Sequence, residues 1–198
     1  FNGGLQATHG EFGMMAQRIV YLPPKPYAAT IAERADGSTS FGTWPNDDTI
    51  PTDLIGFRQN LTPLIADSVV NPYARTWWGG VPPGWHDATR TVRTGLCLNR
   101  DHFILYFYGS SISADHLARA MTSARCDYGV HLDMNPGHTG LEFYRVARSG
   151  RLPKITRRLD SWEAHGTVQG APDWEFYGRR MLKTMHLMHF PRYVRTDS

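Results

Sequence analysis

The sequence is poor in cysteine, in long apolar runs and in excess charge, and each shortage argues against a class of protein. Two cysteines among 198 residues allow one disulfide and are too few for a metal site built on thiolates. No apolar run approaches the roughly 18 residues that a membrane helix needs, so we expect no transmembrane segment. The formal net charge of +3 is too small to indicate a nucleic-acid partner without a clustered basic face.

Two interpretations stay open for the pair Cys97 and Cys126. A bridge between them would indicate an oxidising compartment. Two separate buried thiols would carry no such meaning, and the sequence gives no distance between them. The chain begins at Phe1 without an initiator methionine, so we expect upstream sequence, with a targeting signal as one candidate part of it. Nucleophile elbows, phosphate loops and dinucleotide fingerprints are also absent from the sequence.

The apolar content of 41% is enough for a substantial core. An Asp-Gly turn signal at Asp36 and Gly37 predicts a hairpin, and Ser113 is a plausible N-cap for a helix. The remaining elements that we predict are strands at 18–22, 27–34, 39–42, 55–60, 93–99, 102–108, 130–133 and 141–146, and helices at 114–126 and 176–190. This order predicts a single α+β (mixed α/β) domain with a mostly antiparallel or mixed sheet, at least one packed helix and long loops.

Within that fold we expect a domain over residues 1–150 and a basic extension over 151–198 that carries Trp and Met and packs on the domain. The basic extension could instead meet an anionic partner or a membrane. Loop 71–88 is rich in glycine and holds Trp77, Trp78 and Trp85, which makes it either a binding loop or a plain surface excursion.

Polar residues cluster around the predicted strand 130–133. Alternation puts His131 and Asp133 on one face of the strand, and the following loop adds Asn135 and His138. A polar group after a buried strand is typical of a binding site. The cluster lacks the spacing of a recognised zinc motif, so we expect no cofactor, with a divalent metal as the alternative.

Two arginines precede the strand that contains Cys97. Arg90 and Arg93 are each followed by threonine, and a guanidinium is a planar fork of donors suited to phosphate. In an extended segment Arg90 and Arg93 face opposite sides, so we expect only one of them to serve a site.

Four motifs, in order, resemble the phosphodiester glycosidase family over residues 1–146. They are Phe1-Asn2-Gly3-Gly4-Leu5; Gln59 with Pro63-Leu64-Ile65-Ala66-Asp67; Arg90-Thr91; and the helix from Ser113 that leads to Val130-His131-Leu132-Asp133. The sequence departs from the family pattern at 134–139, where the family usually has glycines followed by serines.

The resemblance implies a hydrolase that cleaves a sugar-1-phosphodiester, at the bond between the anomeric carbon and phosphate, in a glycan or cell-envelope substrate. It implies a secreted, periplasmic or cell-envelope location, a carbohydrate or glycan phosphodiester as partner and no nucleic acid. On this basis Asp133 is the main carboxylate, Arg90 the phosphate clamp, and His138 and His9 acid/base candidates, with Glu11 and Glu142 in reserve. The expected substrate-binding residues are Asn2, Gly3, Gly4, Arg93, Asn135, His131 and Glu142.

A rival hypothesis from another class is a catalytically silent envelope or polysaccharide-binding module of the same fold, in which the tryptophans of loop 71–88 hold glycans. A third is a subunit that docks a partner through its basic C-terminal stretch. The sequence determines neither the sugar nor the oligomeric state.

Overall fold

A computed structural model describes residues 10–76, 86–135, 139–168 and 170–182 of the chain. The chain divides into two compact units between Asn135 and Pro136, which we call the N-terminal unit and the C-terminal unit. The sequence-based division lies at residue 150 instead, inside the C-terminal unit, and stays a prediction.

The described part of the N-terminal unit contains two five-stranded sheets and one helix. The first sheet has the order β2-β1-β5-β3-β4 and the second the order β7-β6-β10-β8-β9. The strands and the helix are β1 (Met14–Ala16), β2 (Ile19–Leu22), β3 (Ala29–Arg34), β4 (Thr39–Thr43), β5 (Leu54–Gln59), β6 (Ile65–Ala66), β7 (Val69–Val70), β8 (Thr91–Asn99), β9 (Ile104–Ile112), α1 (Ala114–Ser123) and β10 (Cys126–His131).

Helix α1 covers one face of the second sheet. The hydroxyl of Ser113 accepts a hydrogen bond from the backbone N–H of His116, which confirms the predicted N-cap. Leu117 and Met121 are one turn apart and both buried against that sheet. Met121 fits because Gly95 lies beneath it: a Cβ on Gly95 would come within 2.4 Å of the Met121 methyl group.

The opposite face of the second sheet packs on the first sheet. Tyr128 and Val130 of β10 are buried together with Ala29 of β3. The hydroxyls of Thr43 and Tyr128 lie 2.8 Å apart and link the two sheets through a hydrogen bond. The layers of this unit are therefore helix, sheet and sheet, and β10 is buried on both faces.

The cysteines are bridged. Cys97 of β8 and Cys126 of β10 form a disulfide with their Cα atoms 5.8 Å apart. Both belong to the core cluster under α1. The bridge joins the two neighbouring strands that carry the candidate site residues.

Over residues 139–168 and 170–182, the C-terminal unit forms a three-stranded antiparallel sheet of order β11-β13-β12. Its strands are β11 (Leu141–Arg148), β12 (Glu163–Val168) and β13 (Ala171–Leu182). Val168 and Phe176 are the centre of its small core.

The predicted fold class is wrong. Strands make up 49% and helix 6% of the described residues, so the chain is β-rich and mostly antiparallel rather than α+β. The predicted helix at 176–190 is wrong over its described part, because residues 176–182 belong to β13. Phe176, Met181 and Leu182 suggested the apolar face of a helix, but Phe176 is buried and Met181 is 55% exposed, because an interval of five places two residues on opposite faces of a strand. Pairing on both sides of β13 decides for the strand.

Candidate functional site

The carboxyl end of β10 brings together the polar residues of the central strands. Gly95 of β8 is the register partner of His131, and beyond the strand the N–H of Leu132 still donates to the carbonyl of Thr94 at 2.9 Å. Continuing this antiparallel register by two residues sets Asp133 opposite Arg93. We call Arg93, Thr94, His131 and Asp133 the strand-end site.

Arg93 is the buried cation of this site, with 0% of its surface exposed. Its Nε donates to the carbonyl of Ile112 at 3.1 Å and its Nη2 to the carbonyl of Thr89 at 2.8 Å. Burial lowers the pKa of the Arg93 guanidinium to about 10, and the nearby carboxylate of Asp87 partly opposes this shift. Because that pKa is still well above 7, Arg93 brings a positive charge into a region of low dielectric.

Asp133 is held from two directions. Its Oδ1 accepts a hydrogen bond from the N–H of Asn135 at 2.8 Å, and its carbonyl accepts one from the hydroxyl of Thr94 at 2.5 Å. The residue is 3% exposed. The contact with Thr94 fixes the backbone of Asp133 and the contact with Asn135 limits the positions of its carboxylate, as a catalytic or binding group requires.

His131 is buried beside Arg93. Burial, and then the positive charge of Arg93, hold the pKa of the His131 imidazole well below its usual range. The ring is therefore neutral at pH 7, and Arg93 supplies the positive charge of the site.

Three residues in or next to the strand-end site were given no role of their own by the sequence reasoning. Thr94 was noted only as a neighbour of Arg93, Asn60 donates through Nδ2 to the carbonyl of His131 at 3.0 Å, and Tyr106 lies on β9. Burial raises the pKa of the Tyr106 phenol to about 12, while Thr94 lowers it and Asp133 raises it further. Thr94 faces Tyr108 across the β8–β9 hairpin, so Tyr106 is its diagonal neighbour. The predicted strands 93–99 and 102–108 would set Thr94 opposite Phe107, one residue out of register, so the sequence reasoning held no signal for Tyr106.

Arg90 lies in a different environment from Arg93. It is exposed, and its Nη1 donates to the carbonyl of Ser111 at 3.2 Å. The two arginines thus have opposite surroundings, as the alternation predicts, and Arg93 is the one next to Asp133 in register. The role of Arg90 as phosphate clamp stays a prediction.

The other predicted site residues are distributed as follows. Asn135 follows Asp133 in the N-terminal unit and supplies the N–H that binds it. Glu142 is in the C-terminal unit, where its carboxylate forms an ion pair with Arg180 at 2.9 Å and accepts a hydrogen bond from the hydroxyl of Tyr144. Glu11 is exposed at the start of the described chain. Asn2, Gly3, Gly4, His9, His138 and the tryptophans Trp77, Trp78 and Trp85 lie outside the described residues.

Met134 is the first residue of segment 134–139, where the sequence departs from the family pattern, and the structure shows what its side chain contacts. Its side chain is buried in an apolar cluster with Phe12, Ala28 and Leu61. Its sulfur also lies 4.0 Å from Nη1 of Arg93. Met134 therefore packs the base of the strand-end site, where a glycine would leave space.

The structure adds no observation in favour of a metal site. Within the described ranges, no group of three or more His, Cys, Asp or Glu side chains is arranged to hold a metal ion. None of the helices in the described part of the chain is long and apolar enough to cross a membrane.

Comparison with known proteins gives a structural likeness without a sequence match. The sequence matches no protein-family model and no curated protein. The fold is similar to the catalytic domain of zebrafish N-acetylglucosamine-1-phosphodiester alpha-N-acetylglucosaminidase, auto-inhibited by its pro-peptide, with a TM-score of 0.53 and 14% identity. The alignment covers 70% of this chain and 51% of that chain, so it spans about half the length of the zebrafish domain. At this identity the likeness shows the fold alone.

Proposed function

We propose that this chain is the core of a hydrolase that cleaves a sugar-1-phosphodiester in a glycan or cell-envelope substrate. Two independent findings support the proposal: the likeness in fold to a phosphodiester glycosidase domain, and the strand-end site at the end of β10. The observation that carries it is the buried arginine set opposite a fixed carboxylate, because this reaction needs both kinds of charge.

The chemistry assigns one task to each charged group. The oxygen of water forms a bond to the anomeric carbon and gives up one proton to solvent. The bond between that carbon and the phosphate oxygen breaks, and its electron pair leaves with the phosphate. The products are the free sugar and a phosphomonoester. The carboxylate of Asp133 stabilises the positive charge that develops on the sugar ring. The guanidinium of Arg93 stabilises the phosphate that departs, and no protonation of this leaving group is required.

Burial adds a requirement to the proposal. Arg93 is 0% and Asp133 3% exposed, so the surroundings of the strand-end site must move before a sugar phosphate reaches these side chains. The exposed Arg90 faces no such barrier. A matched pair of variants can therefore tell which arginine acts on phosphate.

The test is hydrolysis of sugar-1-phosphate methyl esters, followed by the release of reducing sugar. The N-acetylglucosamine ester comes first because the zebrafish neighbour is named for that sugar. We expect Asp133→Asn, which keeps an oxygen to accept from Asn135, to lower kcat/KM by about 10²-fold or more. Arg93→Gln should lower it as well, while Arg90→Gln leaves it near wild type.

Each outcome of this test decides something. Normal turnover by Asp133→Asn would refute the role of that carboxylate. Loss of activity in Arg90→Gln with normal activity in Arg93→Gln would return the clamp to Arg90. Saturable binding of the esters by the wild type without turnover would instead support the silent glycan-binding module.

We also propose an oxidising compartment as the place of action, whether secreted, periplasmic or in the cell envelope. The disulfide between Cys97 and Cys126 supports this. Protein taken from its native cells and unfolded without reductant in the presence of an alkylating reagent, so that the buried sulfurs become accessible, should show neither cysteine modified by mass spectrometry. Modified cysteines in most molecules would exclude such a compartment.

A further inference from the structure

One face of the C-terminal sheet carries a cavity of about 400 Å³. Arg145 of β11 and Tyr177 of β13 are register partners, so both side chains leave the sheet on this face. Residues 152–157, in the connection between β11 and β12, complete the lining. The volume is in the range of small-molecule pockets.

Two carboxylates of the same face fix that connection to the sheet. Near its start, Oε1 of Glu175 accepts hydrogen bonds from the N–H groups of Gly150 at 2.9 Å and Leu152 at 3.3 Å. Near its end, Glu163 accepts both terminal nitrogens of Arg157, at 2.6 and 2.5 Å, and the hydroxyl of Tyr177. The Glu163 side chain is only 2% exposed. The cavity is therefore framed by specific hydrogen bonds at both ends and is not a chance gap beneath a loose loop.

The charge of the lining is positive. Arg145, Lys154 and Arg157 line the cavity, and among the described residues no acidic one does. Arg157 is neutralised by Glu163, and the pKa of the Glu163 carboxyl is held far below its usual range by Arg157 and Tyr177. Arg145 and Lys154 form no ion pair with any residue in the described ranges. Within the described ranges, the cavity therefore presents two cations that no carboxylate pairs with directly.

The rest of the lining is mostly apolar. Leu152, Pro153 and Ile155 line the cavity beside the two cations, and Thr156 contributes a hydroxyl group. Such a mixture suits a ligand with an anionic head and a small organic body. The planar guanidinium of arginine and the ammonium group of lysine are the donors that proteins use to bind phosphate.

We propose that this cavity binds a small phosphate monoester such as a phosphorylated sugar, with the phosphate at Arg145 and Lys154 and the organic part against Leu152, Pro153 and Ile155. All of these residues lie in the C-terminal unit. The proposal is therefore independent of the strand-end site and of the hydrolase function.

The test is calorimetric titration of the full chain with glucose 6-phosphate, with glucose as the neutral probe and inorganic phosphate as the headgroup alone. We expect saturable binding of glucose 6-phosphate, weaker binding of phosphate and none of glucose. Removing both cations in Arg145→Gln/Lys154→Gln should weaken binding about tenfold or more, since each contributes charge-assisted hydrogen bonds. The matched control is Arg151→Gln, an exposed cation of the same connection that does not line the cavity, and it should bind like the wild type.

Two further variants make the result decisive. Arg145→Lys/Lys154→Arg keeps both charges and should retain saturable binding. Asp133→Asn should bind like the wild type, because its change lies in the N-terminal unit. Equal affinity in the double glutamine variant, or loss in Asp133→Asn, would overturn the proposal, as would the absence of saturable binding in the wild type. Should the double glutamine variant fail to fold, Lys154→Gln alone decides in the same way.

Discussion

Loss of the Cys97–Cys126 bridge should destabilise the N-terminal unit by an amount that the structure allows us to calculate. The bridge closes a loop across a sequence separation of 29 residues. A bridge that closes a loop of this length lowers the conformational entropy of the unfolded chain. By the chain-entropy relation this raises the free energy of unfolding by about 3.6 kcal/mol at 25 °C. That figure is a large share of the stability of a single domain.

Urea unfolding followed by circular dichroism measures the effect. With slopes of about 1 to 3 kcal/mol per molar urea, a loss of about 3.6 kcal/mol lowers the midpoint by about 1 to 3.5 M. The variants are Cys97→Ala, Cys126→Ala and the double variant. Wild-type protein reduced with dithiothreitol is the control that breaks the bridge and leaves no cavity.

The pattern among the variants tests the reasoning. If the bridge acts through the unfolded chain, each single variant loses nearly the same free energy of unfolding as the double variant. Both sulfurs are buried, Cys97 at 0% and Cys126 at 2% exposure, so packing offers a rival account. In that account the double variant loses the sum of the two single losses, and reduced wild type loses little. Such a result would refute the entropic origin.

Two further predictions concern the strands that carry the site. In the folded chain the pKa of the His131 imidazole is lowered, whereas in the unfolded chain it is the ordinary value of about 6.5. Below that pH the unfolded chain therefore binds a proton at His131 that the folded chain does not bind. The free energy of unfolding should therefore fall with decreasing pH from about 6.5, by at most about 1.4 kcal/mol per pH unit, and His131→Gln should flatten this slope in urea titrations between pH 5 and 7; an unchanged slope would contradict the assignment. Gly95→Ala would bring its methyl group within 2.4 Å of Met121 and 2.9 Å of the carbonyl oxygen of Val130, so we expect it to cost about 1 to 3 kcal/mol in thermal or urea unfolding. Gly42→Ala is the matched control, because no described atom lies within 4 Å of the Cβ that it adds. Equal losses of unfolding free energy in the two variants would show that the close packing under α1 carries no penalty.

Elements fixed by local interactions were predicted well. The turn at Asp36 and Gly37 forms because the Asp36 carboxylate accepts from the N–H of Ser38 at 2.8 Å and Gly37 adopts a φ of +82°. The N-cap at Ser113 likewise depends on a contact within three residues. Such signals lie entirely within a short window of sequence.

Elements that depend on distant partners were predicted less well. The segment from Phe176 to Leu182 was expected to be helical, yet β11 and β12 pair with it on both sides and make it the central strand of its sheet. Strand pairing satisfies backbone hydrogen bonds between residues far apart in the chain, and no local pattern records which partner is available. The same reason explains why the overall balance of helix and strand was predicted wrongly.

The candidate site shows the same division. Alternation along the chain predicted that Arg90 and Arg93 would have opposite surroundings, but not which of them would be buried. That depends on residues far along the chain, because the carbonyl of Ile112 and the sulfur of Met134 lie against the Arg93 guanidinium.

The sequence by itself determined the polar residues after a buried strand, the cap of α1, the hairpin turn and the two cysteines that could pair. Only the tertiary structure decided that these cysteines join β8 to β10, that Arg93 is the arginine opposite Asp133, and that Arg145 and Lys154 share a cavity. The physical reason is that side-chain alternation and turn chemistry act over a few residues, whereas charge, burial and strand register depend on segments that meet only when the chain folds.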